Sequence, residues 1–236
     1  MTHFVLVHGA FHGGWCWSDI VAGLDAKGHT AVAPDLPGSG DDPTPVSEVT
    51  LESAAARIVE ELKAEDGPSV LVAHSMGGIV MTQVAAQVPE LISKMIYVTA
   101  FRPVDGESLL ALAGLPEGAG DGVQANSTVA GDPPVVIFDM TKSHEVFGTG
   151  VPADIAQAAA ERLTPQPASL FATPVSIAGA QLPPTEYVIC TQDRAIPPAL
   201  QELMAARAPE ATIHRLDTGH SPFYSAPEEL LEILLG

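Results

Sequence analysis

Val70-Leu-Val-Ala-His-Ser-Met-Gly-Gly78 is the stretch on which the reading of the fold turns. Val70 to Val72 make an apolar, largely β-branched run that suits a strand buried on both faces. Met76, Gly77 and Gly78 open a helical pattern. Between them stands Ser75, with Ala73 two residues before it and Gly77 two residues after. A strand that turns abruptly into a helix brings the backbone close to its neighbours, so small residues are needed at those two positions. The serine then sits at the turn above a helix N-terminus, where unpaired N–H groups can bind an anion. This is the pattern of a nucleophile elbow, here with Ala73 where glycine is usual. Taken alone, the same residues also fit an ordinary turn with Ser75 as a helix cap.

The flanking chain repeats the strand-then-helix rhythm. Phe4 to Val7 reads as a buried strand ending at His8-Gly9-Ala10, and residues 15–27 have helical spacing (Trp17, Ile20, Val21, Leu24) that stops at Gly28. Thr30 to Ala33 is a second strand, closed by the Pro- and Gly-rich loop Pro34 to Gly40. Leu51 to Leu62 follows as an amphipathic helix, then the elbow with its helix to about Val88, then a strand from Met95 to Thr99. Late in the chain come a strand (Tyr187–Thr191), a helix (Leu200–Ala208), a strand (Thr212–Leu216) and a last helix, with Pro227 in its favoured first-turn position. Continuous apolar strands alternating with helices predict an α/β fold, a mostly parallel central sheet flanked by helices. Between residues 101 and 184 the rhythm breaks into Gly/Pro clusters and short helix-like pieces such as 154–163. The expectation is a single domain over 1–236, with 101–184 inserted as a cap over the sheet's C-terminal edge.

Composition narrows the function classes. The chain has 236 residues, 46% hydrophobic and 17% charged, which is globular rather than disordered. A formal charge of -19 repels nucleic acid and anionic membrane surfaces. No apolar run reaches membrane-spanning length. The start of the chain lacks the basic-then-apolar pattern of a signal peptide, and Cys16 and Cys190 form no disulfide framework. A cytoplasmic setting is therefore expected. A cap edge or an exposed strand could support a homodimer without leaving a pattern in the sequence.

Ligands of open α/β sheets bind beyond the carboxyl ends of the strands, where the sequence places His8 to Ala10, Ser75, Asp193 and His220. A hydroxyl nucleophile needs a base, and the base needs an acid to hold its tautomer. Ser75, His220 and Asp193 supply the three types, in chain order Ser, Asp, His. The backbone N–H groups of Ala10 and Met76 are the natural oxyanion donors. Blander readings exist: Asp193 as a turn residue or the partner of Arg194, and His220 as a loop histidine. His8 reads as a brace for the loop carrying Ala10, and His74 as support for the elbow. Gly9, His12, Phe147 and His144 are the candidates for contacting substrate. The histidines and cysteines show no metal-ligand spacing, and no phosphate-cradling glycine loop follows a strand. No metal or nucleotide cofactor is implied.

With these residues in view the chain resembles the α/β-hydrolases, in the branch of small bacterial carboxylesterases, plant methylesterases and plant hydroxynitrile lyases. The resemblance rests on F-V-L-V-H-G-A-F-H-G-G-W-C-W (Phe4–Trp17), D-L-P-G-S-G (Asp35–Gly40), A-H-S-M-G-G at the elbow, V-I-C-T-Q-D-R-A-I-P (Val188–Pro197) and G-H-S-P-F (Gly219–Phe223). It implies Ser75 as nucleophile, His220 as base, Asp193 as orienter, and Ala10 and Met76 as oxyanion donors. The lyase members resemble one another in a threonine after the first-strand histidine and a lysine after the catalytic histidine. Here those positions hold Gly9 and Ser221. The expected activity is therefore hydrolysis of small to medium, methyl or aromatic, carboxylic esters without a cofactor. The alternatives are a lyase or secondary-metabolite tailoring enzyme on the same scaffold, and a small-ligand-binding protein that has lost turnover.

Overall fold

Alternation of side chains along buried strands dictates two apolar faces, and each must be covered by helices. A computed structural model, describing residues 1–236, builds this arrangement from β1 (His3–Val7), α1 (Ser18–Ala26), β2 (Thr30–Val32), α2 (Leu51–Lys63), β3 (Ser69–Ser75), α3 (Gly77–Gln87) and β4 (Ile92–Ala100). After residue 184 it continues with β8 (Thr185–Cys190), α9 (Pro198–Ala206), β9 (Thr212–Leu216), α10 (Pro222–Ser225) and α11 (Pro227–Leu235). The central sheet runs β2-β1-β3-β4-β8-β9, and every neighbouring pair is parallel. Phe4, Leu6, Val70, Val72, Ile96 and Val98 face one way, packing on Ile20, Leu24 and Leu230 of α1 and α11. Val5, Val7, Leu71, Ala73, Met95 and Tyr97 face the other way, onto Ile58, Ile79, Val80 and Leu200 of α2, α3 and α9.

Residues 101–184 hold what periodicity could not resolve. Five short helices, α4 (Leu109–Ala113), α5 (Gly122–Ala125), α6 (Ser143–Val146), α7 (Ala153–Ala160) and α8 (Ser169–Ala172), surround a second, antiparallel sheet. Its strands are β5 (Ser127–Ala130), β6 (Val135–Phe138) and β7 (Gln166–Pro167). The sequence reading contained no such sheet, because β5 is largely exposed and β7 has only two residues, too few to carry an alternation. Leu112, Phe138, Phe147, Leu170 and Phe171 from this segment join the core that lies on the α2/α3 side of the main sheet. No helix is long and apolar enough to cross a membrane.

The order β2-β1-β3 creates the crevice that positions the site. The chain leaves β1 toward β2 and then returns past it to β3, so the loops after β1 and β3 part at the sheet's C-terminal edge. Helix α3 can start there because its first two residues lack side chains. A Cβ on Gly77 would lie 2.7 Å from the carbonyl oxygen of His8, and one on Gly78 would lie 2.2 Å from that of Phe101.

Gly78→Ala separates propensity from packing. Alanine favours a helix interior over glycine by about 1 kcal/mol, whereas forcing a methyl against the Phe101 carbonyl costs at least about 2 kcal/mol. The variant is expected to be less stable in urea or thermal denaturation. Equal or greater stability would show that α3 can move off the sheet.

Candidate active site

Ser75 ends β3 with φ of 52°, in the left-handed region that non-glycine residues rarely occupy. The turn points its side chain into a cavity of about 340 Å³, lined mostly by apolar groups, which it shares with Ala10, Met76, Phe147 and His220. Close packing enforces the turn. A Cβ on Gly9 would lie 2.8 Å from both the Cβ of Ser75 and Nδ1 of His74, so glycine lets the loop after β1 press against the elbow. Ala73, the departure from the usual elbow, is fully buried in the core beneath it and leaves the turn intact.

Asp193 and His220 come from the loops after β8 and β9. Both are buried, and Nδ1 of His220 donates to Oδ2 of Asp193 at 2.7 Å. With Nδ1 carrying the proton, the neutral ring keeps Nε2 as an acceptor. The two carboxylate oxygens of Asp193 divide their work. Oδ1 accepts the N–H groups of Ala195 (2.7 Å) and Ile196 (3.0 Å), which shapes its own loop. Oδ2 accepts from His220, from the Gln201 amide (3.2 Å) and from the Thr99 hydroxyl. The turn reading and the partner-of-histidine reading of Asp193 therefore hold together, one on each oxygen. Arg194 is exposed.

Thr99 reaches Asp193 through a bulge. β3 and β4 pair His74 with Val98 and Ser75 with Ala100, which leaves Thr99 as the extra residue, with φ of 37°. Gln201 is wholly buried; it also binds both backbone groups of Cys190 and the carbonyl of Ile196. Neither residue was among the sequence candidates. Thr99 could have been found as a polar residue at a strand's carboxyl end, whereas Gln201 looks like any polar residue on an amphipathic helix.

Three further histidines surround the elbow, all buried. His8 donates from Nδ1 to the Gly9 carbonyl (2.8 Å) and accepts the Leu36 N–H on Nε2 (3.0 Å), a pattern only a neutral ring can make. His12 donates to the Ala10 carbonyl at 2.8 Å, and His74 donates from Nε2 to the His220 carbonyl at 2.8 Å. Burial lowers all three pKa values: His12 to about 4, and His74 well below the usual imidazole range, with the neighbouring His220 adding to the shift. The loop bearing Ala10 is also held from outside. Asp35 accepts the Gly14 N–H at 2.7 Å, and Gln166 of β7 accepts the Phe11 N–H at 3.0 Å. The backbone N–H groups of Ala10 and Met76 have no acceptor within the protein.

The four sequence candidates for substrate contact take different places. Phe147 lines the cavity. Gly9 and His12 lie behind it, Gly9 against His74 and Ser75, and His12 with its ring stacked on Trp15. His144 is exposed and lies outside the cavity lining.

Known proteins resemble this chain in sequence and in fold. A family model described as the alpha/beta hydrolase family matches residues 4–233. The chain is 31% identical to Methylesterase 18 of Arabidopsis thaliana, over 99% of this chain and 95% of that one. It is 43% identical to the carbendazim hydrolyzing esterase of a Nocardioides species over 114 residues, 48% of this chain and 47% of the relative. The structure of a pyrethroid hydrolase from Sphingobium faniae superposes with a TM-score of 0.89 at 26% identity, covering 99% of this chain and 96% of that one.

The neutral histidines set the acid stability. Below pH 6.5 the unfolded chain protonates His8, His12 and His74 while the folded protein resists, so the unfolding free energy falls as pH falls. His12 alone, lowered from 6.5 to about 4, accounts for a loss of about 3 kcal/mol by pH 4. Urea midpoints measured from pH 7 to 4 are expected to drop steadily through that window, and more shallowly in His12→Asn. A flat profile above pH 5 would mean that these rings take up protons in the folded state.

Proposed function

The chain belongs to the alpha/beta hydrolase family, and from that premise we propose that it hydrolyses carboxylic esters by nucleophilic attack from Ser75. The observation that carries the reading is the buried 2.7 Å hydrogen bond from His220, which lines the cavity into which Ser75 opens, to Asp193 behind it. Nε2 of His220 accepts the hydroxyl proton as Ser75 attacks the ester carbonyl, and Asp193 holds the ring in the tautomer that makes this transfer available. The unpaired N–H groups of Ala10 and Met76 receive the oxyanion. Collapse of the tetrahedral intermediate expels the alcohol, which takes the proton from His220. Water activated by the same ring then cleaves the acyl-enzyme. In the free enzyme the Ser75 hydroxyl has no hydrogen-bond partner, a common state before substrate tightens the catalytic contacts.

Thr99 and Gln201 act in this scheme as positioning residues, since they touch Asp193 rather than substrate. Residues 101–184 act as a cap. Leu109, Val136, Phe147 and Phe171 of that segment line the cavity, which suits an aromatic or branched aliphatic ester of small to medium size. The methylesterase, the carbendazim hydrolyzing esterase and the pyrethroid hydrolase that the chain resembles support this substrate class. The free thiols of Cys16 and Cys190 support a reducing, cytoplasmic setting, and the charge of -19 argues against nucleic-acid partners.

Ser75→Ala is expected to lower kcat on p-nitrophenyl acetate by at least about 10⁴-fold with an unchanged melting temperature. Asp193→Asn is expected to lose about as much, because an amide cannot hold His220 in the required tautomer. Retained turnover in the Ser75 variant would rule out the acyl-serine route.

A further inference from the structure

The cavity wall carries an acid that the chemistry above does not use. Asp121, 7% exposed, is the only ionisable side chain lining the cavity besides His220. The cavity it borders is otherwise lined mostly by apolar residues, among them Phe101, Leu109, Val136 and Ile196. Burial raises its pKa above the ordinary carboxylate value.

Its position is rigidly built. Oδ1 accepts the N–H groups of Val123 (2.7 Å) and Gln124 (2.9 Å), and Oδ2 accepts the side-chain amide of Gln124 at 3.1 Å. The next residue, Gly122, donates its N–H to the Arg194 carbonyl at 2.8 Å, which ties this turn to the loop bearing Asp193. A Cβ on Gly122 would lie 2.6 Å from that carbonyl, so the approach depends on glycine. As a helix cap Asp121 needs only Oδ1. Of the two oxygens' roughly four acceptor sites three are filled, and the free one is on Oδ2. A buried carboxylate with spare acceptor capacity therefore borders an apolar space, where an unmade hydrogen bond is costly.

We infer that Asp121 forms a polar subsite that selects esters carrying a hydroxyl or N–H donor away from the scissile carbonyl. The inference rests on the ester-hydrolase reading and adds the substrate class. A donor in the substrate completes the coordination of Oδ2. A substrate without it leaves that acceptor site on Oδ2 unfilled, and one bearing a carboxylate meets like charge at Asp121.

Two ester pairs test this, with the donor on either side of the carbonyl. One pair is methyl (4-hydroxyphenyl)acetate against methyl phenylacetate, and the other is 2-(4-hydroxyphenyl)ethyl acetate against 2-phenylethyl acetate. The wild-type enzyme is expected to favour the hydroxyl-bearing member of at least one pair by about tenfold or more in kcat/KM, the range for a hydrogen bond to a charged group. It is also expected to reject methyl (4-carboxyphenyl)acetate. In Asp121→Asn and Asp121→Ser, both of which keep a capping oxygen, the hydroxyl-to-hydrogen ratio should fall toward one whatever the absolute rate. Equal rates within both pairs for the wild type overturn the inference and leave the esterase reading standing, and this measurement needs no variant to fold. A preference that survives in both Asp121 variants overturns the assignment to that residue. Failure to hydrolyse any of these esters counts against the esterase reading itself.

Discussion

Ser75 can face the cavity only because its backbone is held in a left-handed turn, and most of the surrounding architecture follows from that constraint. A non-glycine residue at φ of 52° carries a local cost of about 1 kcal/mol or more, so the turn persists only where its neighbours leave no alternative. Here they press in from three directions. Gly9 brings the loop after β1 against the Ser75 and His74 side chains, Gly77 seats α3 against the His8 carbonyl, and Gly78 seats it against the end of β4. The same contacts bring Ala10 and Met76 to the mouth of the turn. The close approach that strains the serine thus also sets the two free amides beside it.

Polar groups in this compressed region are buried, and each is held in one hydrogen-bonding state. Asp193 is the clearest case, with one oxygen shaping its own loop and the other aligned on His220, Thr99 and Gln201. His8, His12 and His74 each donate a single ring proton to a backbone carbonyl and stay neutral. They act as fixed dipoles bracing the loops, and they leave His220 as the ring whose second nitrogen opens onto the cavity. Gln166 extends this bracing to residues 101–184, since it joins the second sheet to the loop that carries Ala10. A disturbance in that segment is therefore felt at the oxyanion side of the site as well as in the cavity walls.

Much of the fold was legible in the sequence wherever a residue's partners could be inferred from its own strand or helix. The apolar runs at Phe4, Val70 and Tyr187 specify parallel strands because a buried strand tolerates little else. The small residues around Ser75 mark a turn where backbones nearly touch. Ser75, Asp193 and His220 stood out because each follows a strand. Legibility ended where a role depends on a distant partner. Thr99 serves through a one-residue bulge set by the register of two strands, Gln201 and Gln166 through contacts made across the fold, and Asp121 through its place on a wall built by another segment. His144 shows the converse: its residue type suggested substrate contact, and packing leaves it at the surface.

The sequence by itself determined the alternation of strands and helices, the elbow at Ser75 and the set of residue types available at the strand ends, because these depend on periodicity and local sterics. Only the tertiary structure decided which oxygen of Asp193 meets His220, that the three neighbouring histidines are neutral braces, and that a buried carboxylate borders the cavity. Those outcomes depend on burial and on hydrogen-bond partners as far apart as His74 and His220, separated by 146 residues, and no local pattern encodes them.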